Sequence, residues 1–205
     1  FYSGINRSYP GSGYIDFADD RMLLLSSKGV LAIEDKSKES LEFSQIQTNL
    51  NSFLSLSQIK KSSWHKMWFS FKDILIKDNL IFVSFTDEVK LNCWNTSILV
   101  GTLNSKKIQF KRLFSPGSCV MDTTAKETNY NHDSADATFN AHQSGGRIIA
   151  FDDDHILFTV GDYRLRYLAQ ATNSVNGKIL KININTGSSK IISMGHRNPQ
   201  GLLLD

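Results

Sequence analysis

Arg147-Ile148-Ile149-Ala150-Phe151, then Asp152-Asp153-Asp154, then His155-Ile156-Leu157-Phe158-Thr159-Val160 is the stretch that decides the fold. An apolar run, an acidic turn and a second apolar run read as an antiparallel hairpin, since β-branched and aromatic residues fit a half-buried pleat. The same order stands at Tyr14-Ile15-Asp16-Phe17, Ala18-Asp19-Asp20 and Arg21 to Leu25. It recurs at Ile74-Leu75-Ile76, Lys77-Asp78-Asn79 and Leu80 to Phe85. Such repetition in one chain points to stacked copies of one supersecondary unit.

Each copy continues with two more strand-like runs. They are Val30 to Ile33 and Leu41 to Thr48, then Leu91 to Leu103 (with an irregularity inside) and Ile108 to Phe114, then Gly177 to Ile184 and Lys190 to Met194. The alternation Lys178-Ile179-Leu180-Lys181-Ile182-Asn183-Ile184 has the period of two expected of a half-buried strand. Ser27-Lys28-Gly29, Asn104-Ser105 and Asn185-Thr186-Gly187 supply turn chemistry between the runs. Four antiparallel strands repeated in tandem describe a β-propeller blade, so the expected fold is an all-β propeller of four-stranded antiparallel blades. Blade-like units fall at about 13–50, 73–114 and 145–194, with the start of another at 198–205, in one partial propeller domain over 1–205. A single β-sandwich is the competing all-β architecture. About three blades do not close a ring, the chain opens at Phe1, and it stops at Asp205 inside an apolar run, so a fragment of a longer protein is expected.

Of the 205 residues, 40% are hydrophobic and 21% charged, which excludes a disordered, collagen-like or coiled-coil chain. The net charge of +3 is scattered along the chain, so nucleic acid is not expected as a partner. No apolar run approaches the ~18 residues of a transmembrane segment, and no signal peptide is visible.

Two segments fall outside the blades. Asn51 to Phe71 contains Phe53, Leu54, Trp64, Trp68 and Phe69 and reads either as a short helix or as an inter-blade loop plugging apolar surface. Ser115 to Ser144 is polar and nearly free of aliphatics; a loop this long is functional or mobile. A hairpin turning at Asn104-Ser105 sets Cys93 opposite residue 116, three positions short of Cys119. That brings Cys93 and Cys119 within reach of a disulfide where the chain curls back, two buried thiols being the alternative. The disulfide is the expected pairing and implies an oxidising compartment.

The most distinctive string is Gly195-His196-Arg197-Asn198-Pro199-Gln200-Gly201-Leu202. Proline holds Asn198 extended, and Arg197 offers a planar fork of donors suited to carboxylate or quinone oxygens. On composition alone it would be a turn whose Arg caps carbonyls. In order before it stand His142-Gln143-Ser144-Gly145-Gly146-Arg147-Ile148, Phe158-Thr159-Val160-Gly161-Asp162 and Gly177-Lys178-Ile179-Leu180-Lys181-Ile182-Asn183. Together the four strings, over roughly residues 140 to 204, resemble the glucose/sorbosone dehydrogenase family, the soluble quinoprotein sugar dehydrogenases.

The resemblance implies a six-bladed propeller using pyrroloquinoline quinone (PQQ) with calcium. His142 matches the family's catalytic base, which takes the proton of a sugar hydroxyl while hydride passes to the quinone; a histidine suits this because its neutral form dominates near neutral pH. Asp162 matches the carboxylate that orients that imidazole. Arg197 matches the catalytic cation beside the quinone oxygens, and Arg197 and Asn198 match cofactor contacts. The family's calcium ligands lie beyond Asp205, so no metal ligand is assigned here. Two departures, Ala141 in place of an acidic residue and Tyr163-Arg164-Leu165-Arg166-Tyr167 in the loop after Asp162, leave glucose specificity open.

The Asp152 to Asp154 run lacks the ligand pattern of an EF-hand and reads as a solvated turn. His132, Asp133 and Asp136 lack metal-ligand spacing, and His65 and His155 read as structural. The expected function is PQQ- and calcium-dependent oxidation of an aldose-type sugar with an external electron acceptor, in the periplasm or outside the cell. A non-catalytic propeller binding a glycan or protein partner is the alternative. A lactonase-like propeller, which needs a metal at the channel mouth, is a third.

Overall fold

A computed structural model describes residues 13–37, 39–54, 68–122 and 139–204. Its three repeats form three separate antiparallel sheets. In the first, β1 (Gly13–Ala18), β2 (Arg21–Ser26), β3 (Leu31–Glu34) and β4 (Phe43–Gln45) lie in sequence order. The second holds β6 (Phe71–Lys77), β7 (Leu80–Lys90), β8 (Cys93–Thr102) and β10 (Lys111–Phe114), with β11 (Val120–Met121) also paired to β8. In the third, β12 (Gly145–Asp152), β13 (His155–Val160), β14 (Lys178–Asn183) and β15 (Ser189–Met194) again follow chain order. Helix α1 (Arg166–Gln170) lies between β13 and β14. Four-stranded meanders without crossovers are propeller blades, whereas a sandwich would divide these strands between two sheets.

The hairpins close as their turn residues demand. Asp19 (φ 55°) and Asp78 (φ 54°) adopt the left-handed conformation that Asp and Asn tolerate. The third turn needs no such residue, because the Asp152 carboxylate accepts the Asp154 amide at 3.1 Å. The fourth strands of the first two copies, and the third of the second, are shorter than the sequence runs. Leu41 to Thr48 divides into β4 and β5 (Gln47–Thr48), and β5 leaves its own sheet to pair in parallel with β9 (Lys107–Ile108) of the next copy.

Alternation along β7 builds two cores. Ile81, Val83 and Phe85 pack with Leu23, Leu25 and Ile33 of the first sheet. Phe82 faces the other way, with Ile148, Phe158 and Leu180 of the third. Carboxylates then tie the first strands together. Asp16 in β1 accepts the Ile76 amide of β6 at 2.5 Å, and Asp73 in β6 accepts the Ile148 amide of β12 at 2.8 Å and Arg147 Nη1 at 2.8 Å. One carboxylate per junction does in each case what a ladder hydrogen bond cannot do between separate sheets.

Cys93 and Cys119 are joined as a disulfide with Cα atoms 5.4 Å apart, pinning β11 to β8. A 3₁₀ turn at Leu50–Phe53 and buried Trp68, Phe69 and Phe71 come from the segment read as helix or plug, and its residues 55–67 lie outside the described part. So do His65 and, in the long polar segment, residues 123–138 with His132, Asp133 and Asp136.

Candidate functional site

Three loops meet at one end of the third sheet: residues 139–144 entering β12, 161–164 leaving β13, and 195–199 leaving β15. Backbone bonds zip the first two, from Asn140 N to Tyr163 O (2.9 Å), Tyr163 N to Gln143 O (2.9 Å) and Gly161 N to Ser144 O (2.8 Å). The third joins through Asp162 N to Arg197 O (2.8 Å) and Gly145 N to Asn198 Oδ1 (3.1 Å). Gly161 is required here, because a Cβ would stand 2.1 Å from the Gln143 carbonyl oxygen. Pro199, which stiffens the last loop, presents its carbonyl to Thr159 Oγ1 at 2.8 Å.

His142, Asp162, Arg197 and Asn198 therefore lie in one corner. Arg197 is exposed and donates Nε to Gln143 Oε1 at 3.3 Å, beside His142 in the chain. Asp162 is buried; its Oδ1 accepts the Arg164 amide at 2.8 Å, and its Oδ2 accepts no hydrogen bond among the described residues. Burial pushes the Asp162 carboxyl up, against the pull of the Arg164 amide, Arg197 and Arg166. No hydrogen bond runs from Asp162 to His142 among those of the described residues; the carboxylate is turned to the loop backbone instead.

The His142 ring meets Trp68 edge to face at 5.1 Å between centroids, and Trp68 Nε1 donates to Asp122 Oδ2 at 2.9 Å. Asn140 Oδ1 accepts the His142 amide at 2.9 Å. Burial, then the ammonium groups of Lys72 and Lys28, bring the imidazole down to about 4, so it is neutral and able to accept a proton at pH 7. Tyr163 (φ 55°) and Arg164 (φ 71°) both hold left-handed backbone, a strained state costing roughly 1–3 kcal/mol per residue. The fully buried Tyr163 ring stacks on Phe139 at 5.5 Å, and its hydroxyl lies 2.8 Å from Thr96 Oγ1, which holds the strained pair in place.

Several residues of this corner escape sequence reasoning. Lys72 and Lys28 come from the first two repeats, which match the family only in general pattern, and Trp68 from the segment between them. For Lys72 the readable sign is a cation inside the apolar run Phe71-Lys72-Asp73-Ile74. Asp152, read as a turn residue, and His155, read as structural, pair at 2.6 Å at an exposed hairpin, and Lys181 joins Asp152 at 2.9 Å. Lys178, within the Gly177 to Asn183 string, is buried and donates to the carbonyls of Leu168, Ala169 and Asn176 at 2.8, 2.8 and 2.9 Å. That ammonium ties α1 to β14 and does not reach the corner's chemistry.

Residues 119–205 match the family model described as Glucose / Sorbosone dehydrogenase. Over these residues the chain is similar to that family. The fold agrees over nearly the whole chain. A structure described as glucose dehydrogenase superposes with a TM-score of 0.61 at 16% identity, over 94% of this chain and 58% of its own. The soluble aldose sugar dehydrogenase of Escherichia coli, in its apo form, gives 0.61 at 15% identity over 94% and 53%. The PQQ-bound aldose sugar dehydrogenase of Streptomyces coelicolor gives 0.60 at 13% identity over 91% and 50%. The chain thus spans little more than half the length of these structures, and no curated protein matches it. The glucose/sorbosone dehydrogenase match takes in Cys119 and the three converging loops. Among the described residues no helix is long and apolar enough to cross a membrane, and no group of three His, Cys, Asp or Glu side chains could hold a metal ion.

Proposed function

We propose that this chain carries the proton-abstracting corner of a PQQ- and calcium-dependent sugar dehydrogenase, in one partial propeller domain over residues 1–205. The observation that carries the reading is the junction of the His142, Asp162 and Arg197 loops at one sheet end, with Gln143 between His142 and the Arg197 guanidinium. As an aldose-type carbon loses hydride, its hydroxyl proton passes to the neutral His142 ring and a carbonyl forms. Trp68 holds that ring against rotation and keeps water from one side of it. When bound, PQQ supplies the acceptor for the hydride and its electron pair. The donor set suits such an anionic quinone: the Arg197 guanidinium makes one hydrogen bond among the described residues and has four further N–H donors, and Asn198 stands beside it.

A periplasmic or extracellular location goes with the Cys93–Cys119 bridge, since disulfides persist in oxidising compartments. The non-catalytic reading, a propeller that binds a glycan or a protein, is favoured by one fact: Asp162 bonds the Arg164 amide instead of the imidazole. One experiment separates the two. With Ca²⁺ and PQQ the full-length protein should reduce a dye with an aldose, and His142→Ala should lower the rate at least ~100-fold, the low end of general-base effects. Unchanged turnover in the variant removes His142 from the mechanism. Failure of the full-length protein to bind PQQ in calorimetry leaves the binding module.

A further inference from the structure

The β6 ladder breaks its register between Phe71 and Asp73, so Lys72 sits on a β-bulge, a device that re-aims one side chain out of the pleat. The opposing strand makes room for it. Gly146, at φ 109°, runs under the Lys72 stem so closely that a Cβ there would stand 2.4 Å from Lys72 Cβ. β12 shifts its own register between Gly145 and Ile148 at that place. From the first sheet, Lys28 donates Nζ to the Phe69 carbonyl at 3.0 Å, one residue from the Trp68 ring that packs on His142. Two ammonium groups from separate blades thus act on one imidazole.

Among the described residues no carboxylate forms an ion pair with Lys72. Asp73 is engaged by Arg147 and the Ile148 amide, Asp122 accepts from Trp68, and the residue before His142 is the buried Ala141. Lys72 Nζ has no hydrogen bond or ion pair among the described residues, and the residue keeps partial exposure. We propose that Lys72 and Lys28 form an anion subsite beside His142 that selects a sugar carrying a carboxylate, a uronate-type aldose, over a neutral one. This rests on the dehydrogenase reading of the same corner and names its substrate class. Desolvation and the neighbouring Lys28 bring the Lys72 amine down to about 8, so it still carries charge at pH 7. A bound carboxylate would relieve the repulsion between the two cations and raise the basicity of His142 at the moment it must accept a proton.

The test is the ratio of kcat/KM for glucuronate to that for glucose, measured at low salt on the full-length protein with PQQ and Ca²⁺. The wild type should favour glucuronate, and Lys72→Met, which keeps the stem over Gly146, should lower the ratio at least ~10-fold. Lys72→Arg should retain most of it, and 0.5 M salt should erode it in the wild type. A ratio unmoved by Lys72→Met overturns the subsite while the dehydrogenase stands. Weakened PQQ binding with an unmoved ratio also overturns it, because the anion is then the cofactor's own. Should no sugar be oxidised at all, the dehydrogenase reading fails, and calorimetry with glucuronate decides the subsite by itself. Binding that is lost in Lys72→Met supports it, and no binding by the wild type refutes it.

Discussion

Protonation of His142 offers the most direct check on the electrostatics of the corner. Its ordinary value of 6.5 falls to about 4 in the folded chain, through burial and the two ammonium groups. Among the described residues it is faced by Lys72, Lys28 and the Trp68 ring, whose Nε1 donates to Asp122. Above pH 6.5 folded and unfolded chains both carry a neutral ring, and the full contribution to stability is present. Below 6.5 the unfolded chain takes the proton first, so stability falls with pH until the folded ring is also protonated near 4. A gap of this size corresponds to on the order of 3 kcal/mol, reduced in practice because the ring is partly solvated. The assay is an NMR titration of the ring C–H signals, in which the four other histidines serve as references. Urea unfolding of wild type and His142→Gln at pH 7 and pH 4 runs alongside. The wild type should lose about 2–3 kcal/mol more than the variant between these values. Lys72→Met should shift the ring's midpoint upward. A wild-type ring titrating near 6.5, or one unmoved by Lys72→Met, refutes the placement of cations around it.

The blade junction at Asp73 should separate hydrogen bonding from charge. Asp73→Ala strands the buried Ile148 amide and should cost about 2–4 kcal/mol in urea unfolding, whereas Asp73→Asn keeps an acceptor and should cost about 1 kcal/mol. Burial holds the Asp73 carboxyl above its usual range, so a neutral amide is tolerated there, and equal losses in the two variants would contradict this. Reducing the Cys93–Cys119 bridge, with its separation of 26 residues, should lower stability by about 3 kcal/mol in the chain-entropy view. An unchanged urea midpoint under reducing conditions would show that β11 is held by other contacts.

How far the sequence discloses this molecule depends on whether a feature is local. Hairpin turns, period-two strands and the order of four runs per repeat are written within a few residues, and the three sheets follow them closely. The Cys93–Cys119 pairing is nearly local, although Cys93 lies opposite Met121 and not residue 116, because the ladder shifts its register and β11 forms a separate strand. The junction carboxylates are not: Asp16 and Asp73 sit in apolar runs where a single acid reads as a solvated face, and their partners are 60 and 75 residues away. His142, Asp162 and Arg197 were legible because their strings resemble those of a family, a signal that reports roles and says nothing of surroundings. What surrounds His142 comes from elsewhere in the chain. Trp68 belongs to a segment readable either as helix or as plug, and Lys72 faces the corner because a bulge turns it out of the pleat, which strand alternation cannot encode. On the proposed reading, the same bulge would let this site share its motifs with sugar dehydrogenases and still take a different substrate. On that reading the motifs would fix where the proton goes, while a lysine outside every motif would set which charge the sugar must bring. Selectivity on that basis would follow Lys72 and not the string around His142, and exchanging the loops that bear the motifs should leave it in place.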